Sequence, residues 1–172
     1  RVAVRSHAYP LRAAGDFRCA DPLYNWIWQT GVATLRACAA DAFLDCPWRE
    51  QGCYVGDVLV EQRVLRMLTT DLSLARRSLR LFAQAQRPDG QMPDVAPATK
   101  ADTLCDYTLL WVIAVGEHLA ETGDLGFARE MWPAVERALA SPVWREAASG
   151  LWVAGGAGAK VFGDSGLERA AR

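Results

Sequence analysis

The segment Thr70-Asp-Leu-Ser-Leu-Ala-Arg76 returns 53 positions later in the chain as Gly123-Asp-Leu-Gly-Phe-Ala-Arg129. Each copy stands between two stretches whose apolar residues are spaced as in helices, so each marks a tight turn inside a helical hairpin. A hairpin that returns after about 50 residues is typical of repeat architectures, in which neighbouring hairpins pack on one another. The repeat therefore predicts an all-α fold.

The segments around the first copy of the repeat predict three helices. Asp21 is the expected N-cap of the first, with Pro22 at its first position, and this helix should run to about Ala40. The second should begin at or just after Asp57, with an apolar stripe at Val60, Val64, Leu65 and Leu68. The third follows the repeat, with apolar residues at Leu72, Ala75, Leu79 and Phe82.

The segments around the second copy predict two more helices. Residues 102–121 are apolar on all sides of a helix, so this helix should be buried on every side. Gly123 should end it and Asp124 should cap the next helix, which Pro133 must kink or restart. Alternating fully buried and one-sided helices suit the inner and outer rings of an α/α toroid, of which this chain would form roughly half.

Both ends of the chain differ from the helical middle. The first 18 residues contain a short alternating piece that predicts a strand or an extended arm. After Pro142 the chain is rich in glycine, with a small hairpin expected around Leu151 to Val153. The chain starts at Arg1 without an initiator Met or a signal-like segment, so it reads as an excerpt. Its localisation is therefore unknown, with the cytoplasm slightly favoured.

Composition excludes several classes of protein. The chain has 172 residues, of which 51% are hydrophobic, enough for a domain with a real core. A net charge of −1 does not suggest nucleic acid or an anionic membrane as a partner, and no apolar run has the length of a membrane span. The five cysteines form no C-x-x-C pair, so we expect reduced, mostly buried thiols and no metal site.

Residues 43–57 concentrate the polar chemistry of the chain, in the order Phe-Leu-Asp-Cys-Pro-Trp-Arg-Glu-Gln-Gly-Cys-Tyr-Val-Gly-Asp. Pro47, Gly52 and Gly56 disfavour a helix, so most of this run should be a loop between helices. Apolar residues interrupt the polar ones, which indicates partial burial. Half-buried carboxylates are unfavourable unless they are paired or used, so Asp45 and Asp57 are candidates for function.

The order Asp45-Cys-Pro-x-Arg-Glu50, then an aromatic residue, then Gly56-Asp57, resembles the catalytic loop of the bacterial α-L-rhamnosidases. These are inverting glycosidases with a toroidal domain of helical hairpins. Weaker similarity extends over roughly residues 2–151. The resemblance implies a partial (α/α)6 toroid with a short extended or strand segment at its N-terminus. It also implies that residues 1–18 end a preceding β-domain or linker, and that residues 19–172 form the N-terminal part of the six-hairpin domain.

The resemblance also implies a role for each polar side chain of the loop. Glu50 matches the general acid of the family, whereas Asp45, Arg49 and Asp57 match residues that bind rhamnose hydroxyls. Tyr54 stands where the family usually has a tryptophan that lines the sugar pocket. From the sequence itself we add two further candidates. Trp48 lies inside the loop, where it could border the sugar, and Asp106, on an otherwise apolar helix, could point at the pocket or pair with Arg49.

The expected partner is thus a carbohydrate, with no cofactor required. The base glutamate of the family lies on a later hairpin, and no residue here is assigned that role. The remaining carboxylates read more simply as caps, surface groups or supporting groups: Glu61, Asp94, Glu117 and Asp164. Two alternatives stay open. One is a different toroidal glycosidase or debranching-type enzyme, and the other is a non-catalytic helical module that binds carbohydrate or protein.

Overall fold

The computed structural model describes residues 2–3, 7–155 and 160. This part of the chain contains five helices: α1 (Pro22–Ala37), α2 (Val55–Leu68), α3 (Ser73–Ala85), α4 (Cys105–Thr122) and α5 (Leu125–Leu139). Two short strands, β1 (Trp144–Glu146) and β2 (Trp152–Ala154), pair antiparallel with Arg145 opposite Val153. The all-α prediction is confirmed, and so is the small hairpin near the end of the described chain.

The chain divides into two compact units, Arg1–Leu79 and Arg80–Arg172. In the first, α1 packs on α2, and the largest fully buried side chains are Phe43, Leu65, Leu68, Leu74, Leu79, Gln62, Val55 and Val58. In the second, α4 packs along α5, and the corresponding side chains are Trp111, Phe82, Met92 and His118. Each unit therefore has a core of its own.

The two copies of the repeat form the same turn. A threonine two residues before each aspartate accepts a hydrogen bond from the aspartate's backbone N–H at 3.1 Å, Thr69 from Asp71 and Thr122 from Asp124. The carboxylate of each aspartate then accepts from a backbone N–H two or three residues later, at 3.0 and 2.9 Å. Both turns connect two helices as predicted, and the threonine belongs to the repeat as well.

Predictions for the helix ends are largely confirmed. Asp21 caps α1 by accepting from the N–H of Leu23 at 2.8 Å, and α1 ends at Ala37, three residues before its expected end. Gly123 ends α4 with a φ of 66°, a left-handed conformation in which glycine is favoured. Helix α5 is continuous through Pro133, so the alternative of a new helix beginning there is wrong.

Two predictions about helix surfaces are wrong. Helix α2 begins at Val55, two residues before its predicted start. Val60 and Val64 are 56% and 37% exposed, because they face an open cleft against α1 rather than the core. Leu65 and Leu68 of the predicted stripe are buried as expected, and the rest of the buried face consists of Val55, Val58, Leu59 and Gln62. Helix α4 is not buried on every side either, since Ile113 is 46% exposed.

An extended arm precedes α1, and none of its described residues forms a strand. The N–H of Tyr9 donates to the carbonyl of Ala39 at 2.8 Å, and the N–H groups of Ala14 and Gly15 donate to that of Leu68 at 2.6 and 3.0 Å. A Cβ at Gly15 would lie 1.9 Å from the carbonyl oxygen of Met67, so only glycine fits there. The arm is therefore held against the end of α2.

Candidate active site

The polar loop is anchored between α1 and α2 by buried backbone contacts. Phe43 is fully buried, and its N–H donates to the hydroxyl of Ser78 at 3.1 Å. Phe43 also forms an isolated bridge with Ala39, and the N–H of Leu44 donates to the carbonyl of Cys38 at 2.8 Å. These contacts fix the point from which the loop leaves α1.

Asp45 closes the loop on itself. Its backbone N–H donates to the carbonyl of Gly52 at 2.8 Å, and its carboxylate accepts from the N–H of Gly52, also at 2.8 Å. Gln51, with a φ of 55°, turns the chain between them, and its side-chain amide donates to the carbonyl of Pro47 at 2.8 Å. The segment from Asp45 to Gly52 is thus a closed turn, and the candidate acid lies inside it.

The side chain of Glu50 is held at the surface by two partners. Arg49 forms an ion pair with it, and the hydroxyl of Tyr54 donates to its Oε2 at 3.0 Å. The hydrogen bond from Arg49, followed by that from Tyr54, lowers the pKa of Glu50 below its ordinary value. The Arg49 side chain is 83% exposed, and Trp48 beside it is 89% exposed. The surroundings of Glu50 in this structure therefore favour its ionised form.

Asp57 lies in the first turn of α2 and is half-buried. Burial, followed by the negative charge of Asp45, raises its pKa. Both aspartates line a cleft of about 430 Å³ between α1 and α2, which we call the α1–α2 cleft. Its other lining residues come from the two helices: Thr30, Gly31, Thr34, Leu35, Cys38, Gly56, Val60, Glu61 and Val64. The structure therefore brings Asp45 and Asp57 together in one concave site.

Glu61 also lines this cleft, although the sequence did not identify it as a site residue. Burial, followed by the charges of Asp57 and Asp45, raises its pKa to about 8. Its Oε2 is buried and has no hydrogen-bond partner. A signal was present in the sequence, because residues four apart on a helix lie on the same face, and Glu61 follows Asp57 by four.

The remaining candidates lie outside the loop. Asp106 is in the first turn of α4 and half-buried, within the unit that begins at Arg80, and its role stays a prediction. Burial raises the pKa of Asp94 in the same unit. Asp164 lies outside the described residues.

All five cysteines are free, and three of them (Cys38, Cys53 and Cys105) are buried, as predicted. Within the described ranges, no group of three or more His, Cys, Asp or Glu side chains could hold a metal ion. None of the described helices combines the length and the apolar character that crossing a membrane requires.

A sequence model of the bacterial α-L-rhamnosidase six-hairpin glycosidase domain matches residues 12–164. The chain belongs to this family. Membership accounts for the repeated hairpins, and the fold is part of the (α/α)6 toroid that the sequence predicted.

Two solved rhamnosidase structures are similar to this family member. The GH78 family rhamnosidase of Bacillus sp. GL1 is 32% identical, with a TM-score of 0.81 over 90% of this chain and 16% of that one. The rhamnosidase from Klebsiella oxytoca, solved with rhamnose bound, is 29% identical, with a TM-score of 0.65 over 78% of this chain and 26% of that one. The chain therefore spans about a sixth and a quarter of these two proteins. A comparison with curated proteins gives no match.

Proposed function

We propose that the protein containing this chain is an inverting glycoside hydrolase that removes terminal α-L-rhamnose from rhamnosides. The observation that carries the proposal is the loop between α1 and α2. It presents Glu50 with Arg49 and Tyr54, and it places Asp45 beside Asp57 in a cleft. Family membership and the similarity to two rhamnosidases support rhamnose as the sugar that the protein removes. One of the two, the Klebsiella oxytoca protein, was solved with rhamnose bound.

The α1–α2 cleft suits the ring of a sugar. Its volume of about 430 Å³ lies within the range of ligand pockets. The carboxylates of Asp45 and Asp57 can accept hydrogen bonds from sugar hydroxyls, and the guanidinium of Arg49 can donate to them. Tyr54 supplies an aromatic face of the kind that covers the apolar side of a sugar. We assign these four residues to substrate binding, with Trp48 and Asp106 as further candidates.

We assign Glu50 as the general acid that protonates the leaving oxygen. A general acid must carry a proton, whereas Arg49 and Tyr54 keep Glu50 ionised in the structure without substrate. The exposed Arg49 side chain is free to swing onto a sugar hydroxyl, and its departure removes the largest cause of the lowered pKa. Substrate binding then also shields Glu50 from water, which favours the protonated form. Arg49 thus couples binding of the sugar to protonation of the acid.

Inversion also needs a carboxylate base that activates water about 6.5–9.5 Å from the acid. We place this base outside residues 1–172, on a later hairpin of the domain, so that this chain supplies the acid half of the active site. The proposed reaction is a single displacement by water. It forms no covalent glycosyl-enzyme intermediate and needs no cofactor.

The test uses the complete gene product and its Glu50→Gln variant. Both are assayed on aryl α-L-rhamnosides, on a natural rhamnoside and on aryl glycosides of other sugars. General acid catalysis contributes about 10²–10⁴-fold, so Glu50→Gln should lose that much on the natural rhamnoside. The loss should be smaller with a good aryl leaving group, which needs less protonation.

Glu136→Gln is the matched control, because Glu136 is exposed on α5 and its replacement removes the same charge. It should leave turnover unchanged. Cleavage of another aryl glycoside in preference to rhamnosides would favour a different toroidal glycosidase. A folded product that cleaves none of the panel would overturn the enzyme proposal in favour of a non-catalytic binding module.

A further inference from the structure

Glu61 lies one helical turn after Asp57 on α2, and both side chains line the α1–α2 cleft. Residues four apart on a helix have Cβ atoms about 5–6 Å apart, close enough for two carboxyl groups to interact. The mechanism above uses Asp57 to bind sugar hydroxyls and leaves Glu61 without a task. Its position nevertheless places it one helical turn from a residue that the proposed substrate would touch.

The surroundings of Glu61 favour its neutral form. Its Oε2 is buried and has no hydrogen-bond partner, and a buried anionic oxygen without a partner is strongly unfavourable. The charged groups that act on Glu61 are Asp57 and Asp45, and both are negative. Burial and these two charges raise the pKa of Glu61 to about 8, so the group carries a proton at pH 7.

Asp57 has two contacts that stabilise its negative charge and that Glu61 lacks. It lies in the first turn of α2, where the N-terminal end of the helix dipole stabilises a negative charge. A backbone hydrogen bond also partly offsets the rise in its pKa that burial and Asp45 produce. Two neighbouring carboxyl groups are not readily ionised at the same time. Here Glu61, the more deeply buried of the two, holds the proton.

We infer that Glu61 is a neutral carboxylic acid that positions Asp57 when a sugar occupies the cleft, by turning onto that carboxylate the O–H that has no partner in the structure without substrate. Glu61 is therefore a positioning residue for sugar binding, and the inference rests on the function proposed above. The proton that stays on Glu61 leaves Asp57 ionised, so that the remaining lone pairs of Asp57 accept from sugar hydroxyls. Ionisation of Glu61 would remove this hydrogen bond and place a second negative charge beside Asp57.

Among the described residues, two thiols are also titratable groups near Glu61. They are Cys38 at the end of α1 and Cys53 in the loop, and both interact with its charge. Burial raises the pKa of Cys38 and raises that of Cys53 to about 12. Cys53 therefore stays neutral near pH 8, and the burial of Cys38 moves its ionisation to higher pH. Within this cluster, Glu61 is the group that changes charge in that range.

The test compares the complete gene product with its Glu61→Gln and Glu61→Leu variants on an aryl α-L-rhamnoside between pH 6 and pH 9.5. Glutamine keeps a donor but cannot ionise, whereas leucine removes the donor. Loss of a hydrogen bond to a charged group weakens binding by roughly 10–100-fold. Glu61→Leu should therefore raise KM by at least about tenfold, with a smaller change in kcat. Glu61→Gln should restore KM to within about threefold of the parent.

The pH profile separates positioning from a merely structural role. In the parent, KM should rise as pH passes through about 8, and this rise should be absent from Glu61→Gln. The control Glu136→Gln should keep the parent profile. Equal KM values for the glutamine and leucine variants, or the same rise in KM in the parent and in Glu61→Gln, would overturn the inference.

A second readout does not depend on activity, so it distinguishes failure of this inference from failure of the proposed function. An unfolded glutamate ionises near 4.5, whereas folded Glu61 keeps its proton to about 8. Folding is therefore disfavoured progressively as pH rises between these values, and the effect is constant above them. The Tm of Glu61→Gln minus that of the parent should grow from pH 5 to pH 8. A difference that does not change with pH would overturn the neutral state of Glu61, whatever the enzyme cleaves.

Discussion

At the scale of single residues, two glutamates of the same unit have opposite titration behaviour because their surroundings differ. Glu50 is exposed beside a guanidinium and a phenol, which lower its pKa, whereas burial among negative charges raises that of Glu61. Sequence alone distinguishes them poorly, since both are glutamates in or near one loop. The resemblance to a family directed attention to Glu50. The spacing of four from Asp57 placed Glu61 on the same helix face, but the burial that raises its pKa is visible only in the structure.

Gly15 gives a residue-scale prediction about stability. A Cβ there would lie 1.9 Å from the carbonyl oxygen of Met67, which is backbone and cannot move aside cheaply. Gly15→Ala should therefore destabilise the protein by about 1–3 kcal/mol, as overpacking does. The measurement is a denaturant midpoint under conditions where the helical domain unfolds reversibly.

The matched control for Gly15→Ala is Gly116→Ala. An added Cβ at Gly116, inside α4, meets no atom within 4 Å. Alanine there should stabilise the helix by about 0.5–1 kcal/mol. An unchanged midpoint for Gly15→Ala would contradict the close packing of the arm against the end of α2.

At the scale of elements, the two copies of the repeat act as helix-starting turns. In each, a threonine hydroxyl holds the aspartate, and the aspartate caps the helix that follows. Asp71 also accepts a hydrogen bond from the hydroxyl of Tyr9 at 2.8 Å, which connects the extended arm to this turn. The repeat thus preserves a capping device rather than a catalytic group.

Replacing either capping aspartate by alanine should cost about 0.5–2 kcal/mol of stability, because one helical N–H loses its partner. Asparagine caps as well as aspartate, so Asp71→Asn and Asp124→Asn should restore most of this loss. Urea unfolding of the four variants provides the measurement. A loss from the alanine variants that asparagine does not restore would assign the effect to charge rather than to capping.

Sequence patterns predicted the ends of helices well where capping residues mark them. They predicted less well which face of a helix is buried. Asp21, Gly123 and Asp124 mark ends that the structure reproduces. The apolar stripe assigned to α2 was right at Leu65 and Leu68, which are buried, and wrong at Val60 and Val64, which line the open cleft against α1. Periodicity shows that a face is apolar, but which neighbour covers that face is a property of the packing.

At the scale of the whole molecule, the chain is part of a six-hairpin glycosidase domain, and its two units each carry hairpin elements with their own core. We propose that residues 1–18 are the end of a preceding β-domain or linker. The candidate acid and all four of the residues assigned to sugar binding lie in one unit, on the loop that joins α1 to α2 and at the start of α2. On the proposed function, the acid side of the reaction is thus built from one short run of sequence.

The most direct test of the central claim is the configuration of the sugar first released by the complete gene product. Proton NMR of a reaction on an aryl α-L-rhamnoside, recorded within minutes of adding enzyme, resolves the two anomers before they interconvert. Single displacement by water predicts β-L-rhamnose first, followed by slow appearance of the α anomer. Initial release of α-L-rhamnose would contradict the account, because it requires a covalent intermediate and a nucleophile in place of the proposed water and base.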